Sequence, residues 1–172
     1  MNNSPETEWI DFGFETVPVN EKQSRVSDVF SSVAPSYDIM NDLMSGGIHR
    51  LWKDALMDWL APSKGQVLID LAGGTGDIAL RFLKRGGGFV HVVDINADMI
   101  RAGQKRRDIK AYSNQIDWTV ASAEDIPLPT GSADRVTISF GLRNVTDRNM
   151  ALRQALRVLK PGGRFCCLEF ST

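Results

Sequence analysis

The stretch Asp70-Leu71-Ala72-Gly73-Gly74-Thr75-Gly76-Asp77 follows directly on the apolar run Val67-Leu68-Ile69. A glycine-rich turn leaving a strand lets the backbone approach a small ligand closely, and open α/β sheets bind ligands at such strand ends. Gly74, Gly76 and Ala79 satisfy the spacing G-x-G-x-x-G/A, and Asp94 stands eighteen positions after Gly76, so the pattern alone leaves a dinucleotide enzyme open. Asp94 does not discriminate, because a carboxylate there can accept the ribose hydroxyls of any adenosine cofactor. Asp70 does. A carboxylate at the mouth of the turn repels a pyrophosphate and attracts the ammonium and sulfonium of S-adenosylmethionine. Gly74 and Gly76 are expected to be glycines so that the methionine moiety can occupy the space a side chain would fill.

Further polar groups gather at other strand ends. Ala121-Ser122-Ala123-Glu124 is placed to offer backbone and small polar groups to an adenine edge, and Ser139-Phe140-Gly141-Leu142-Arg143-Asn144 follows a strand where substrate-facing groups sit in this kind of fold. Arg143 stays protonated at ordinary pH, which suits it to stabilise an oxyanion rather than to take a proton; a structural ion pair is the alternative. His49, beside a glycine pair, reads as a cap or surface residue, and His91 as a packed or edge residue of a strand. No metal-ligand spacing is present in the sequence. Cys166 and Cys167 are adjacent in a strand-like run and so point to opposite faces, as buried small hydrophobes.

These residues need an alternation of strands and helices to bring them together. Five β-rich runs, at about 66 to 70, 89 to 95, 116 to 121, 135 to 140 and 164 to 170, are separated by helical periodicities, which predicts a parallel sheet with right-handed crossovers. Leu159-Lys160-Pro161-Gly162-Gly163-Arg164 predicts a turn before the fifth strand. The domain reading is an N-terminal arm over 1–19, a helical substrate-covering segment over 20–63, and a Rossmann-like domain over 64–172. In the second segment Val26, Val29, Phe30 and Val33 recur at helical spacing, and Ile48, Leu51, Trp52, Ala55, Leu56, Trp59 and Leu60 form a broad apolar stripe expected to face the core. The alternative for Trp52 and Trp59 is a membrane-facing lid. Arg101, Lys105, Arg106, Arg107 and Lys110 read as a solvated helix face.

The 172 residues are one domain's worth, and the formal net charge of −1 gives no global attraction to nucleic acid. No apolar stretch approaches the roughly 20 residues of a membrane span, and the first residues lack the basic and apolar regions of a secretory signal, so a cytoplasmic protein is expected.

Three strings carry a resemblance: VFSSVAPSYDIMNDLMSGGIHRLWK, the DLAGGTGD turn, and ISFGLRNVTD followed by LRVLKPGGRFCCLEFS. They resemble the ubiquinone/menaquinone biosynthesis C-methyltransferases, a family of class I S-adenosylmethionine-dependent methyltransferases. The resemblance implies methyl transfer from S-adenosylmethionine to a ring carbon of a polyprenylated benzoquinol or naphthoquinol. It implies cofactor contacts at Asp70, Gly74, Thr75, Gly76, Asp94, Ser122, Ala123 and Ser139, catalytic roles for Arg143 and Asn144, and substrate contact at Tyr37 and Asn41. Ile39, Met40, Leu43 and Met44 could line a tunnel for the tail. Peripheral membrane contact, a homodimer and a quinone-biosynthesis complex are open alternatives as partners. Class I methyltransferases carry two more strands than the five read here, so the chain looks truncated and is expected to be poorly soluble or dimeric and weakly active. The rival functions are another small-molecule methyltransferase of the same fold, an NAD-dependent oxidoreductase, and a non-catalytic cofactor-binding subunit.

Overall fold

The computed structural model describes residues 9–12, 15–18 and 48–170, and the predicted helix around Val26 to Val33 lies outside them. The expected five strands are present and all parallel. They are β3 (Val67–Leu71), β4 (Phe89–Asp94), β5 (Ile116–Val120), β6 (Ala133–Ser139) and β7 (Leu159–Leu168), in the order β5-β4-β3-β6-β7. The chain steps from β3 to β4 on one side and later returns to β6 on the other, so the crevice at the carboxyl end of β3 is the switch point where such sheets bind ligands.

Within the segment read as the N-terminal arm, β1 (Trp9–Phe12) and β2 (Glu15–Pro18) pair as an antiparallel hairpin. Alternation over four residues is too short to stand out against mixed polar flanks.

Strand parity sorts the interior. Leu68, Asp70, Val90 and Val92 project toward the face covered by α1 (Ile48–Leu60) and α2 (Asp77–Lys84), where Met57, Leu60 and Phe82 are fully buried. Ile69, Leu71, Val93, Val136 and Ile138 project to the other face, against Ala155 and Val158 of α5 (Arg148–Val158). Helices thus lie on both faces, as a parallel sheet requires. Between β4 and β5 the predicted single helix is two, α3 (Ala97–Lys105) and α4 (Arg107–Lys110), broken at Arg106, whose backbone is extended. The predicted turn before the fifth strand is a bulge inside β7: pairing jumps from Ala133↔Leu159 to Arg135↔Arg164, and Gly162 takes φ 80°.

Of the stripe on α1, Leu56 and Leu60 pack into the core and the rest does not. The buried residues are His49, Lys53, Leu56, Met57 and Leu60, while Ile48, Leu51, Trp52 and Trp59 are exposed, Trp59 to 73%. Reading all the apolar residues as core overlooked that the helix turns a histidine and a lysine inward, so His49 is not a surface residue. The helix end is fixed by its free carbonyls: Arg135 Nε donates to Leu60 O at 2.7 Å, and Arg164 donates to Trp59 O. Met57→Ala should therefore cost about 2–5 kcal/mol by cavity formation, whereas Trp59→Gln should change stability by no more than about 0.5 kcal/mol. Urea denaturation of both variants checks the orientation, and a larger loss for Trp59→Gln would contradict it.

Candidate functional site

The glycine turn closes over a row of side chains. In register across the sheet lie Trp118, Val92, Asp70, Thr137 and Cys166, all on the α1/α2 face. Asp70 is 0% exposed, so it stands beneath the turn and not at its mouth, because strand parity sends it inward with Leu68. The Thr137 hydroxyl donates to Asp70 Oδ1 at 2.7 Å, and Oδ2 is buried without a hydrogen-bond partner. Burial is the largest influence on this carboxyl, opposed by the Thr137 hydroxyl and reinforced by Asp94, and it lifts the pKa to about 7. A buried carboxylate oxygen lacking any donor is costly, and a cationic group arriving there would satisfy it.

The glycines are needed for packing below the turn more than for room above it. A Cβ on Gly76 would lie 2.7 Å from the Trp118 ring, and one on Gly73 would lie 2.8 Å from Asp70 Oδ2 and 2.7 Å from Val92. Gly76 also holds φ 78°. The Trp118 ring beneath it thus gives Gly76 a packing requirement of its own. Gly73 was missed, since the spacing pattern draws attention only to Gly74 and Gly76; its position directly above a buried acid is visible only in the fold. Gly74, at φ 55°, is the glycine whose N–H reaches the next strand end, donating to Asp94 Oδ2 at 2.8 Å.

Asp94 ends β4, as expected. Its Oδ1 accepts from Asn96 N at 2.8 Å, so each carboxylate oxygen is held by one backbone N–H and keeps acceptor capacity for a ribose hydroxyl. Burial raises its pKa, and the two N–H groups oppose that rise. Thr75 is buried, and its hydroxyl accepts from Arg106 at 3.3 Å. Arg106 therefore reaches the turn and also pairs with Asp108, and is not simply part of a solvated helix face.

Ser122 and Ala123 follow β5, where the Ser122 hydroxyl accepts from Glu124 N at 3.1 Å. Glu124 was not singled out by sequence. Its Oε1 accepts from both Thr146 N and Asp147 N at 3.0 Å, tying this loop to the one that carries Arg143 and Asn144. Ser139 ends β6 with its hydroxyl buried and unpartnered, a second orphaned group at the carboxyl edge. Beyond it Phe140 holds φ 56°, an unusual strain for a non-glycine residue. Asn144 N donates to Gly141 O at 3.0 Å. Arg143 lies in the same 3-10 turn, ion-paired with Glu169 and 5.4 Å from the Phe170 ring centre. The ion pair kept as its alternative role is thus formed. Trp52 joins Phe140 and Phe170 in an aromatic cluster, at ring separations of 6.4 and 5.6 Å, beside that loop. Tyr37 and Asn41 lie outside the described residues.

A lysine and an aspartate complete the charges around the turn. Lys53 of α1 is 6% exposed and places Nζ 2.8 Å from Asp77 Oδ2, which also accepts from Arg81 at 3.2 Å. Burial works to raise the Asp77 pKa, but Lys53 and then Arg81 bring it below the usual carboxylate range. A cleft of about 380 Å³ beside this pair, between α1 and α2, is lined by Arg50, Asp54, Arg81 and Arg85 among others. The pairing of Arg81 and Arg85 with Asp54 makes it an interhelical ion-pair network, not an anion site. Among the described residues no cluster of ligating side chains could hold a metal; Cys166 and Cys167 are free thiols, Cys166 buried as expected and Cys167 exposed, against the expectation that both are buried, because its face of the edge strand β7 is uncovered there. His91, in β4, is half-buried with Nδ1 3.7 Å from Asp117, and burial lowers its pKa against that carboxylate's pull.

The donor set fits a cationic adenosyl cofactor and fits a pyrophosphate poorly. Asp70, Asp77 and Asp94 surround the turn, and the orphaned oxygen asks for a positive charge. A pH signature follows. Between about pH 4 and pH 7 the unfolded chain gives up the Asp70 proton while the folded chain retains it, so stability from this group falls as pH rises through that window. Asp70→Asn should be the more stable protein at pH 8, by on the order of a few kcal/mol, with the advantage shrinking toward pH 5. Thermal melts across that range test it; a pH-independent difference would contradict the buried acid.

Comparison with known proteins agrees with this geometry. Residues 18–172 match the ubiE/COQ5 methyltransferase family. The chain is 58% identical over 161 residues to the ubiquinone/menaquinone biosynthesis C-methyltransferase UbiE of Roseobacter denitrificans, covering 93% of this chain and 64% of that protein. The protein of the same name from Acidiphilium cryptum is 55% identical over 165 residues, covering 96% of this chain and 66% of its own length. The chain thus spans about two thirds of the length of these relatives. Among solved structures, the [4+2]-cyclase SpnF superposes with a TM-score of 0.72 at 20% identity, over 84% of this chain and 59% of that one. A SAM-dependent methyltransferase from Aquifex aeolicus superposes with a TM-score of 0.56 at 19% identity, over 63% and 58%. At such identities the structural likeness speaks for the Rossmann-like methyltransferase fold alone. With a family match across nearly the whole chain and relatives well above half identical, this chain belongs to the ubiE/COQ5 methyltransferase family.

Proposed function

We propose that this chain carries the cofactor site and part of the substrate site of a C-methyltransferase that moves a methyl group from S-adenosylmethionine to a ring carbon of a polyprenyl benzoquinol or demethylmenaquinol. The observation that carries this reading is the unpartnered Asp70 Oδ2 beneath the glycine turn. Membership of the ubiE/COQ5 family and relatives named for ubiquinone/menaquinone biosynthesis support the substrate class.

S-adenosylmethionine, when bound, supplies an electrophilic methyl group on a sulfonium. The chain's own groups bind and orient. Asp70 takes the positive charge of the methionine end, Asp94 accepts from the ribose hydroxyls, and the Ser122-Ala123 segment borders the adenine. Thr75 and the unpartnered Ser139 hydroxyl are the further polar contacts of this reading. The ring carbon gains nucleophilicity when a neighbouring phenol loses its proton to solvent; the carbon–methyl bond would form as the sulfonium–methyl bond breaks to leave a neutral thioether, and loss of the ring carbon's own proton to solvent would restore the aromatic ring. The groups that meet the resulting oxyanion are Arg143 and Asn144, in the turn after β6. Arg143 then exchanges part of its pairing with Glu169 for the substrate oxygen, while the adjacent aromatic rings exclude water. Tyr37 and Asn41 complete the substrate contacts in this proposal. The exposed Ile48, Leu51, Trp52 and Trp59 on the outer side of α1 support contact with a lipid surface, from which a polyprenylated substrate would be taken.

Two experiments test the proposal. Transfer of a labelled methyl group to a demethylmenaquinol or benzoquinol in detergent should be measurable and should depend on Arg143: Arg143→Ala should lower turnover about 10²-fold or more while changing S-adenosylmethionine affinity less than about threefold. Equal losses in both would assign Arg143 a structural role through Glu169. In flotation with quinol-loaded vesicles, Trp52→Ser/Trp59→Ser should reduce the vesicle-bound fraction; a parent protein that stays wholly in the soluble fraction would contradict membrane contact.

A further inference from the structure

We propose that Glu124 is a positioning residue, a tether from the loop after β5 that fixes the turn carrying Arg143 and Asn144 relative to Ser122 and Ala123. What the two loops bind rests on the functional reading above; how they are joined rests on geometry. The loops are neighbours by packing, since Ala123, Leu142 and Val145 lie against the same apolar cluster as Ile138 and Ala155. Apolar contact is non-directional and does not fix how one loop stands to the other. Glu124 supplies the direction. Its Oε1 accepts from two successive backbone N–H groups, those of Thr146 and Asp147, both at 3.0 Å. Two bonds converging from adjacent residues on one carboxylate oxygen restrict sliding and swinging of the far loop, and bonds to a carboxylate are among the stronger kind.

The tether is separate from what each loop needs in order to form. After β5 the chain turns by itself, with Glu124 N donating to Ser122 Oγ and Asp125 N to Ser122 O, both at 3.1 Å. After β6 the turn closes through Asn144 N to Gly141 O at 3.0 Å and Val145 N to Leu142 O at 3.2 Å. Asp147 caps α5 by accepting from Met150 N at 2.9 Å. None of these bonds uses the Glu124 side chain. From the β7 side the turn meets a second glutamate, Glu169, which accepts from Arg143 N at 3.2 Å and pairs with the guanidinium. The two acids differ in what they hold. Glu169 grips the side chain that the functional reading transfers to a substrate oxygen, whereas Glu124 grips backbone just beyond the turn and stays bonded while Arg143 moves.

Amide exchange reads the tether directly, and methyl transfer reads its consequence. Exchange is followed by NMR in the ligand-free parent chain, Glu124→Ala, Glu124→Asp and Glu124→Gln. Thr146 and Asp147 should exchange about tenfold faster in Glu124→Ala. The same loss is expected in Glu124→Asp, which keeps the charge but is one methylene too short to reach both N–H groups. Glu124→Gln keeps an oxygen at the same reach and should stay within about threefold of the parent. Unchanged exchange in Glu124→Ala, or an equal loss in Glu124→Gln, overturns the inference; should Glu124→Ala fail to fold, Glu124→Asp decides in its place. Methyl transfer from S-adenosylmethionine to a demethylmenaquinol is then measured. Glu124→Ala should lower turnover about tenfold or more while leaving S-adenosylmethionine affinity within about threefold of the parent's, because the loop after β5 keeps its own bonds. Glu124→Gln should restore most of the turnover. A fall in affinity as large as the fall in turnover would make Glu124 a general support of the fold and overturn the inference. If exchange changes as expected but the parent transfers no methyl group, the functional reading fails while the tether stands.

Discussion

A carboxyl group set into the middle row of a parallel sheet is the constraint on which the other features of this molecule depend. Asp70 shares that row with Val92 and Thr137, beneath helices α1 and α2, with one oxygen bonded and one orphaned. Such burial works against folding, and the surroundings are arranged around it. The Thr137 hydroxyl is aimed at Oδ1, Gly73 lacks the side chain that would collide with Oδ2, and the buried Lys53 pairs with the neighbouring Asp77. An unsatisfied group of this kind costs stability, and the proposed function accounts for it by a ligand contact.

Much of the architecture was legible. Alternating strand and helix periodicities led to five parallel strands, four of them within two residues of their bounds, and the strand-turn-helix at Asp70 to Asp77 falls at the switch point of the sheet. Asp94 at the end of β4 and the opposed faces of Cys166 and Cys167 followed from strand geometry alone. What stayed hidden has physical reasons. Apolar character does not tell which side of an amphipathic helix meets the core when the inward face carries His49 and Lys53 and the outward face carries Trp59. Glycine spacing does not reveal that Gly76 answers to the Trp118 ring, because the two are brought together only by the sheet. Glu124 stood in the sequence only as part of the stretch after β5, and Glu169 carried no reading at all. Their importance to the Arg143 loop arises from the convergence of three strand ends, which no local pattern records.

The carboxyl edge of the sheet also divides its labours. Charge is concentrated on the β3 and β4 side, where Asp70, Asp77 and Asp94 surround the turn. Aromatic surface is concentrated on the β6 and β7 side, where Trp52, Phe140 and Phe170 stand beside Arg143. A polar cofactor on one side and an apolar aromatic substrate on the other is the division that the proposed methyl transfer to a quinol ring would require, since the donor must stay fixed while a greasy acceptor is brought in line with it. Helix α1 touches both halves, through Lys53 on one and Trp52 on the other.

The most direct measurement is proton release on cofactor binding, by calorimetric titration with S-adenosylmethionine in buffers of differing ionisation enthalpy. If Asp70 must ionise to receive the cation, binding near pH 6 should release close to one proton, the release should vanish by pH 8.5, and it should be absent in Asp70→Asn. Binding of equal strength with no proton release at pH 6, or release unchanged in Asp70→Asn, would contradict the account.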